Sequence, residues 1–126
     1  MKRHLLRQRT MKYLYQHCLL NKPIFQILVE EGHLMKPDGD LYVIRHLENI
    51  EAHEDHYIEQ INQHLSEWEF TRLSYVEQAI LLLGWSELSL KEDERAIVID
   101  EAIKLAKTYA DESSYQFINA VLDHYV

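Results

Sequence analysis

Apolar residues recur at helical spacing along most of the chain, and in one stretch they leave almost no polar side. From Ser74 to Leu90, the positions Val76, Ala79, Ile80, Leu81, Leu82, Leu83, Trp85 and Leu88 cover nearly every direction around a helix. A helix that is apolar all round must be enclosed by other elements. This one is too short, and too close to charge, to span a bilayer. Ser74 with Glu77 three residues on is a capping-box signature and marks its start. The pattern therefore predicts a central helix with the others laid around it. Gly84 inside it costs about 1 kcal/mol of helix propensity against Ala, so its expected use is the close approach of a neighbouring helix.

The flanking segments are amphipathic. Residues 2–20 carry Leu6, Thr10, Tyr13, Leu14 and Cys18 at helical spacing. Basic side chains border that stripe, with Lys2, Arg9 and Lys12 on one flank and Arg3 and Arg7 on the other. Asn21 and Pro23 end the helix, since Pro cannot continue it. A short second helix follows from Pro23 to Glu31, with Ile24, Ile27 and Leu28 apolar and Gly32 at its C-terminal end. Lys36-Pro37-Asp38-Gly39-Asp40 has turn chemistry, and Asp40 is a good N-cap for a long helix over 41–65. Along that helix Ile44, Leu47, Ile50, Tyr57, Ile58, Ile61 and Leu65 mark one face, with a gap near Glu54. Trp68 and Phe70, in a helical turn over 66–72, read as core or core-rim residues.

Residues 94–110 predict a helix with Ile99, Ala102, Ile103, Ala106 and Tyr109 facing in, and an exposed Asp100–Lys104 pair. Ser113 with Gln116 repeats the capping box and starts a last helix bearing Phe117, Ile118, Val121, Leu122 and Tyr125. No strand-like alternation, hairpin dipeptide or internal repeat interrupts the series. The expectation is an all-α fold: one domain, residues 1–126, built as a bundle of six to seven helices around a central apolar helix.

Composition agrees. Three Gly and two Pro leave few turns. The single Cys18 excludes an internal disulfide framework and fits a reducing cytoplasm. Cys18 reads as a small buried hydrophobe and not as a reactive thiol. No run reaches transmembrane length, and no apolar signal-peptide core follows the basic N-terminus.

Charge changes the picture more. Residues 1–29 hold Lys2, Arg3, Arg7, Arg9, Lys12 and Lys22 and no acid, which is +6. The remainder carries −14, for a net charge of −8. A basic end on an acidic body points to an anionic partner at that end, nucleic acid among the options. The plainer alternative is a solvated basic helix face.

Candidate chemistry is thin. His53-Glu54-Asp55-His56 could place two imidazoles on one helix face, but a catalytic zinc site wants three protein ligands and an open position. A solvated face is the plainer reading, and no metal or cofactor is expected. His17 and Cys18, adjacent on a helix, point about 100° apart and form no dyad. There is no glycine-rich phosphate loop and no Gly-x-Ser-x-Gly elbow. Carboxylates are abundant, but none has a sequence reason to be buried. The reading is a binding protein and not an enzyme.

The motifs then become specific. Val76-Glu77-Gln78-Ala79-Ile80-Leu81-Leu82-Leu83-Gly84-Trp85-Ser86-Glu87-Leu88 resembles the central helix of the NusB family of bacterial transcription antitermination factors. The run from Ile99 to Tyr109 resembles the family's next helix, and Phe117 to Asp123 its closing one. Tyr13-Leu14-Tyr15-Gln16 is similar to the end of its first helix, which follows an arginine-rich stretch. The resemblance implies an all-α, non-catalytic RNA-binding domain in the cytoplasm. Its implied partners are boxA-type single-stranded RNA, the ribosomal protein NusE and the transcription elongation complex, with no membrane. It implies RNA contacts at Lys2, Arg3, His4, Arg7, Arg9, Lys12 and Tyr15, and a partner-facing Glu77. Phosphates supply affinity to cations, and unstacked bases lie on aromatic or guanidinium planes. Leu5 and Leu6 interrupt the basic stretch, and Gln8 stands where an acid is common. That thinning weakens phosphate binding first, and frames an alternative: a protein-interaction adaptor of the same fold with weak or lost RNA binding. Nothing in the pattern decides between a monomer and a homodimer.

Overall fold

The computed structural model describes residues 2–30, 37–66 and 68–126, with 37–40 described by backbone alone. Six helices and one 3-10 turn make up its regular structure: α1 Arg3–Leu20, α2 Ile24–Glu30, α3 Pro37–Asn62, the turn Phe70–Arg72, α4 Tyr75–Leu90, α5 Arg95–Tyr109 and α6 Ser114–Asp123. No strand occurs among the described residues.

The all-apolar stretch is α4, and every residue from Gln78 to Leu88 is buried. α4 packs against α1, α3, α5 and α6, which is what a helix with no polar side requires. Its capping box forms as expected: Ser74 Oγ accepts from the Glu77 amide at 3.1 Å, and Glu77 Oε1 accepts from the Ser74 amide at 3.0 Å. At its far end Lys91 takes a left-handed conformation (φ 55°) and its amide closes onto Glu87 O at 3.0 Å. Gly84 is the point of closest approach to α6. A Cβ placed there would lie 2.9 Å from Leu122 Cδ2.

α1 ends at Asn21, in the left-handed region (φ 53°) that Asn tolerates. Its buried positions are Leu6, Arg7, Thr10, Met11, Tyr13 and Leu14. That set is wider than the expected stripe, because α1 packs on both α3 and α4. The gap in the apolar face of α3 at Glu54 is filled from α1: His17 Nε2 lies 2.7 Å from Glu54 Oε2.

Several expectations are corrected. α3 begins at Pro37 and not after Asp40, so the residues expected to form a turn open the helix instead. Proline suits a first helical position, where its missing N–H has no partner to lose. Glu31, Gly32 and Lys36 lie outside the described residues. The second capping box does not form. Ser113 caps α6 without a side-chain bond, and the hydroxyl of Ser114 donates instead to Glu77 Oε2 at 2.9 Å. A tertiary acceptor at the head of α4 takes the bond that local geometry would have used. Lys104 pairs with Glu101 (3.4 Å), one turn position nearer than Asp100. Phe70 is buried, but Trp68 is 57% exposed and so is neither core nor rim.

Gly84→Ala gains helix propensity, about 1 kcal/mol, but drives a methyl into buried Leu122, an overpacking cost of about 1–3 kcal/mol. The variant is expected to be the less stable protein by about 1 kcal/mol in a urea titration.

Candidate nucleic-acid interface

The basic flank of α1 divides into an inward and an outward set. Arg7 points into the bundle and is 3% exposed. Its Nε lies 2.8 and 3.1 Å from the two carboxylate oxygens of Glu87, and its Nη2 lies 2.8 Å from Asp93 Oδ2. Glu87 sits on α4 at 5% exposure. It also accepts from the Tyr42 hydroxyl of α3 in a short bond. Burial pushes Glu87 above the usual carboxylate range, against the opposing pull of Arg7 and of the Tyr42 hydroxyl. Burial, with Glu87 beside it, pushes the Tyr42 phenol up as well.

Arg3 follows Arg7 one turn earlier. Its Nη1 reaches the same Asp93 oxygen at 2.9 Å, and its guanidinium lies 4.8 Å from the centre of the Tyr42 ring. The α4–α5 connection thus lays Asp93 against two α1 arginines. Its neighbour Glu92 binds Arg45 and His46 of α3.

His46 is wholly buried. Its Nδ1 accepts from Ser86 Oγ at 2.7 Å and its Nε2 donates to Glu92 Oε1 at 3.0 Å, the tautomer that a neutral ring provides. Asn49 Nδ2 completes the chain by donating to Ser86 Oγ and to the Tyr57 hydroxyl. Burial, reinforced by Arg45, Arg3 and Arg7, pulls His46 down to about 4. Among the described residues no buried side-chain nitrogen or oxygen lacks a partner.

The outward set is different. Lys2, His4 and Lys12 are exposed, Arg3 is exposed at its Asp93 pair, and Arg9 and Tyr15 are half-buried. Lys12 Nζ lies 5.6 Å from the centre of the Tyr109 ring of α5. The structure therefore keeps a cationic surface on α1, but Arg7 is not part of it. Arg7, expected at the RNA surface, is held by Glu87 and Asp93 inside the bundle.

Glu77, expected to face a partner, is half-buried and works as the cap of α4 and the acceptor of Ser114. It also lines a groove of about 260 Å³ with Trp68, Arg72, Leu73 and Phe117. Exposed Trp68 gives this groove an aromatic wall, while Tyr75 (44% exposed) lines a separate groove with His17, Cys18 and Gln78. Burial, and secondarily Glu54, pushes the Cys18 thiol up to about 12, so it stays protonated and unreactive near neutrality. His53 and His56 are exposed, and no group of three metal-ligating side chains occurs among the described residues.

The buried Glu87 and His46 escaped the sequence reading. A signal was present for one of them. A carboxylate inside a helix enclosed on all sides can only be buried, and a buried carboxylate requires a cation from a neighbouring helix. Arg7, beside the apolar stripe of α1, was available to supply it.

The model of the NusB family matches residues 4–126. The chain belongs to the NusB family. A transcription antitermination protein NusB from a Sulfurovum species is 36% identical, over 96% of this chain and 95% of its own length. The protein of the same name from Bacillus cereus is 35% identical over 98% and 96%. Among solved structures, NusB of T. maritima superimposes with a TM-score of 0.87 at 30% identity, covering 98% of this chain and 89% of that one. NusB in a complex of NusB and NusE with dsRNA aligns with a TM-score of 0.79 at 29% identity, over 98% and 96%. The NusB-like all-α bundle expected from the sequence is therefore the fold observed.

Arg7→Ala is expected to lower the unfolding free energy by about 3–5 kcal/mol, since it strands a buried carboxylate. Lys12→Ala, on the same helix, should change it by under ~0.5 kcal/mol. Urea titration of the two variants separates the inward from the outward set.

His46 and His17 titrate in opposite senses. The folded value of His46, about 4, lies below its ordinary 6.5, so the unfolded chain takes up the proton first. Its contribution to stability is intact above about pH 6.5 and is lost as pH falls to about 4. His17 is lowered by burial but raised further by Glu54 and the Lys22 carbonyl, for a net rise. Its contribution is present below pH 6.5 and fades as pH climbs through the folded value. An NMR titration of the imidazole C–H signals should show His46 still neutral well below pH 6.5 and His17 still charged above it.

Proposed function

We propose that this protein is a transcription antitermination factor that binds boxA-type single-stranded RNA together with NusE and so supports rRNA transcription. Residues 1–126 act as one cytoplasmic RNA-binding domain that joins the elongation complex through these contacts and catalyses no reaction. The observation that carries the reading is the outward face of α1, where Lys2, Arg3, His4 and Lys12 stand at the surface of an otherwise acidic chain. The relatives' name, transcription antitermination protein NusB, supports it. So does the alignment with NusB in a complex that contains NusE and dsRNA. Arg9 and Tyr15 extend the RNA surface along α1. The groove beside Glu77, with exposed Trp68 and with Phe117, is the surface offered to a protein partner.

The inward turn of Arg7 favours a second reading, in which the chain is chiefly a protein-interaction adaptor. With Arg7 removed from the count, Lys2, Arg3, Arg9 and Lys12 are the assigned phosphate contacts on α1. Four contacts at about 0.7 each contribute about −3 to the log–log salt slope for single-stranded RNA. Anisotropy titration of a boxA-type RNA at several salt concentrations, with and without NusE, measures it. A flat slope, or no binding at low salt even with NusE present, would sink the RNA reading. A NusE complex that survives Lys2→Glu and Lys12→Glu while RNA binding is absent would leave the adaptor.

A further inference from the structure

Between the outer face of α1 and the neighbouring face of α5 lies a groove of about 310 Å³, lined by His4, Gln8, Glu101, Lys104, Leu105 and Thr108. α4 packs against both helices and lies beneath them. On α1, His4, Gln8 and Lys12 follow one another at four-residue steps and so form a single row along one side. On α5, Glu101, Lys104, Leu105 and Thr108 form the facing row. Lys12 Nζ lies 5.6 Å from the centre of the Tyr109 ring of α5, and Lys107, one turn past Lys104, lies 4.7 Å from the centre of the Tyr115 ring toward α6.

The lining matches one kind of ligand. The volume is at the lower end of the range for small-molecule pockets, about 300–1,000 Å³. That suits one nucleotide better than a packed duplex. An imidazole provides a stacking plane for an unpaired base, and Leu105 provides an apolar contact. Gln8 and Glu101 provide the amide and carboxylate that read base edges. Lys104 and Lys107 provide cations where a chain entering the groove would carry phosphate. The acid present does not close the site. Glu101 holds Lys104 only through a 3.4 Å contact, with the lysine side chain 72% exposed, and such surface pairs are easily exchanged for a phosphate.

We propose that the α1–α5 groove is the second wall of the RNA track. It seats one unstacked nucleotide of a single-stranded RNA, with Lys104 and Lys107 on the flanking phosphates and His4, Gln8 and Glu101 toward the base. This rests on the RNA reading above and deepens it, because it moves part of the interface from the basic first helix to α5. The groove is continuous with the exposed face of α1 that carries Lys12, since His4 and Gln8 line it on the same side of that helix.

The test uses the full chain and a short labelled boxA-type single-stranded RNA, titrated at several salt concentrations. Three forms are compared with the parent: Lys104→Gln with Lys107→Gln, Lys2→Gln with Lys12→Gln, and His4→Ala. Removing the two α5 lysines should flatten the log–log slope by about 1.4, two contacts at about 0.7 each. His4→Ala should weaken binding at an unchanged slope, because it removes a stacking plane and no permanent charge. Both α5 lysines are exposed, and unchanged melting confirms that the fold survives their replacement. If the parent binds and the α1 pair flattens the slope while the α5 pair leaves slope and affinity unchanged, the groove is not part of the track and the RNA reading stands. If the parent binds no RNA at low salt with NusE present, both fall together.

Discussion

A carboxylate has been placed in the one helix that has no face toward water. Glu87 lies near the C-terminal end of α4, among residues that are buried from Gln78 to Leu88. An unpaired charge there would cost several kcal/mol, so the fold is obliged to deliver a cation to it. Arg7 is that cation, and its delivery sets the position of α1 against α4. Tyr42 then brings α3 to the same carboxylate, and Asp93 brings the α4–α5 connection to the same guanidinium. Four parts of the chain meet at one ion pair.

That constraint separates residues that look alike. Arg3, Arg7 and Lys12 are equivalent as entries in a count of charge, yet one is interior, one is shared with Asp93 and one lies over a tyrosine ring. Phosphate binding depends on side-chain cations that can displace the counterions condensed on the nucleic acid. A guanidinium already held by two carboxylates is not placed to do so. The basic helix is therefore both a structural strut and a recognition surface, and its two edges take different tasks. Asp93 pairs with Arg3 and Arg7 on one edge of α1, its neighbour Glu92 pairs with Arg45 of α3, and Lys12 lies on the edge toward α5.

The same separation applies to the histidines. Burial, with Arg45, Arg3 and Arg7 near it, lowers His46 and favours its neutral ring. Burial also opposes charge on His17, but the Glu54 carboxylate and the Lys22 carbonyl at its two nitrogens outweigh it and favour the protonated ring. Neither state follows from the residue type. Each follows from what the neighbouring helix offers across a few ångströms.

Periodicity by itself determined the helices, the central place of α4, its capping box and the close approach at Gly84. These depend on local geometry and on the single demand that apolar surface leave water, and both are written in residue order. The run from Val76 to Leu88, with the helices after it, also carried the family resemblance. Tertiary structure alone decided which polar groups were used where. It took Ser114 to Glu77 in place of a local cap, turned Arg7 inward and Trp68 outward, and shifted His17 and His46 in opposite directions. A hydrogen bond or ion pair depends on distances between segments far apart in the chain. Those distances exist only once the apolar faces have closed around α4.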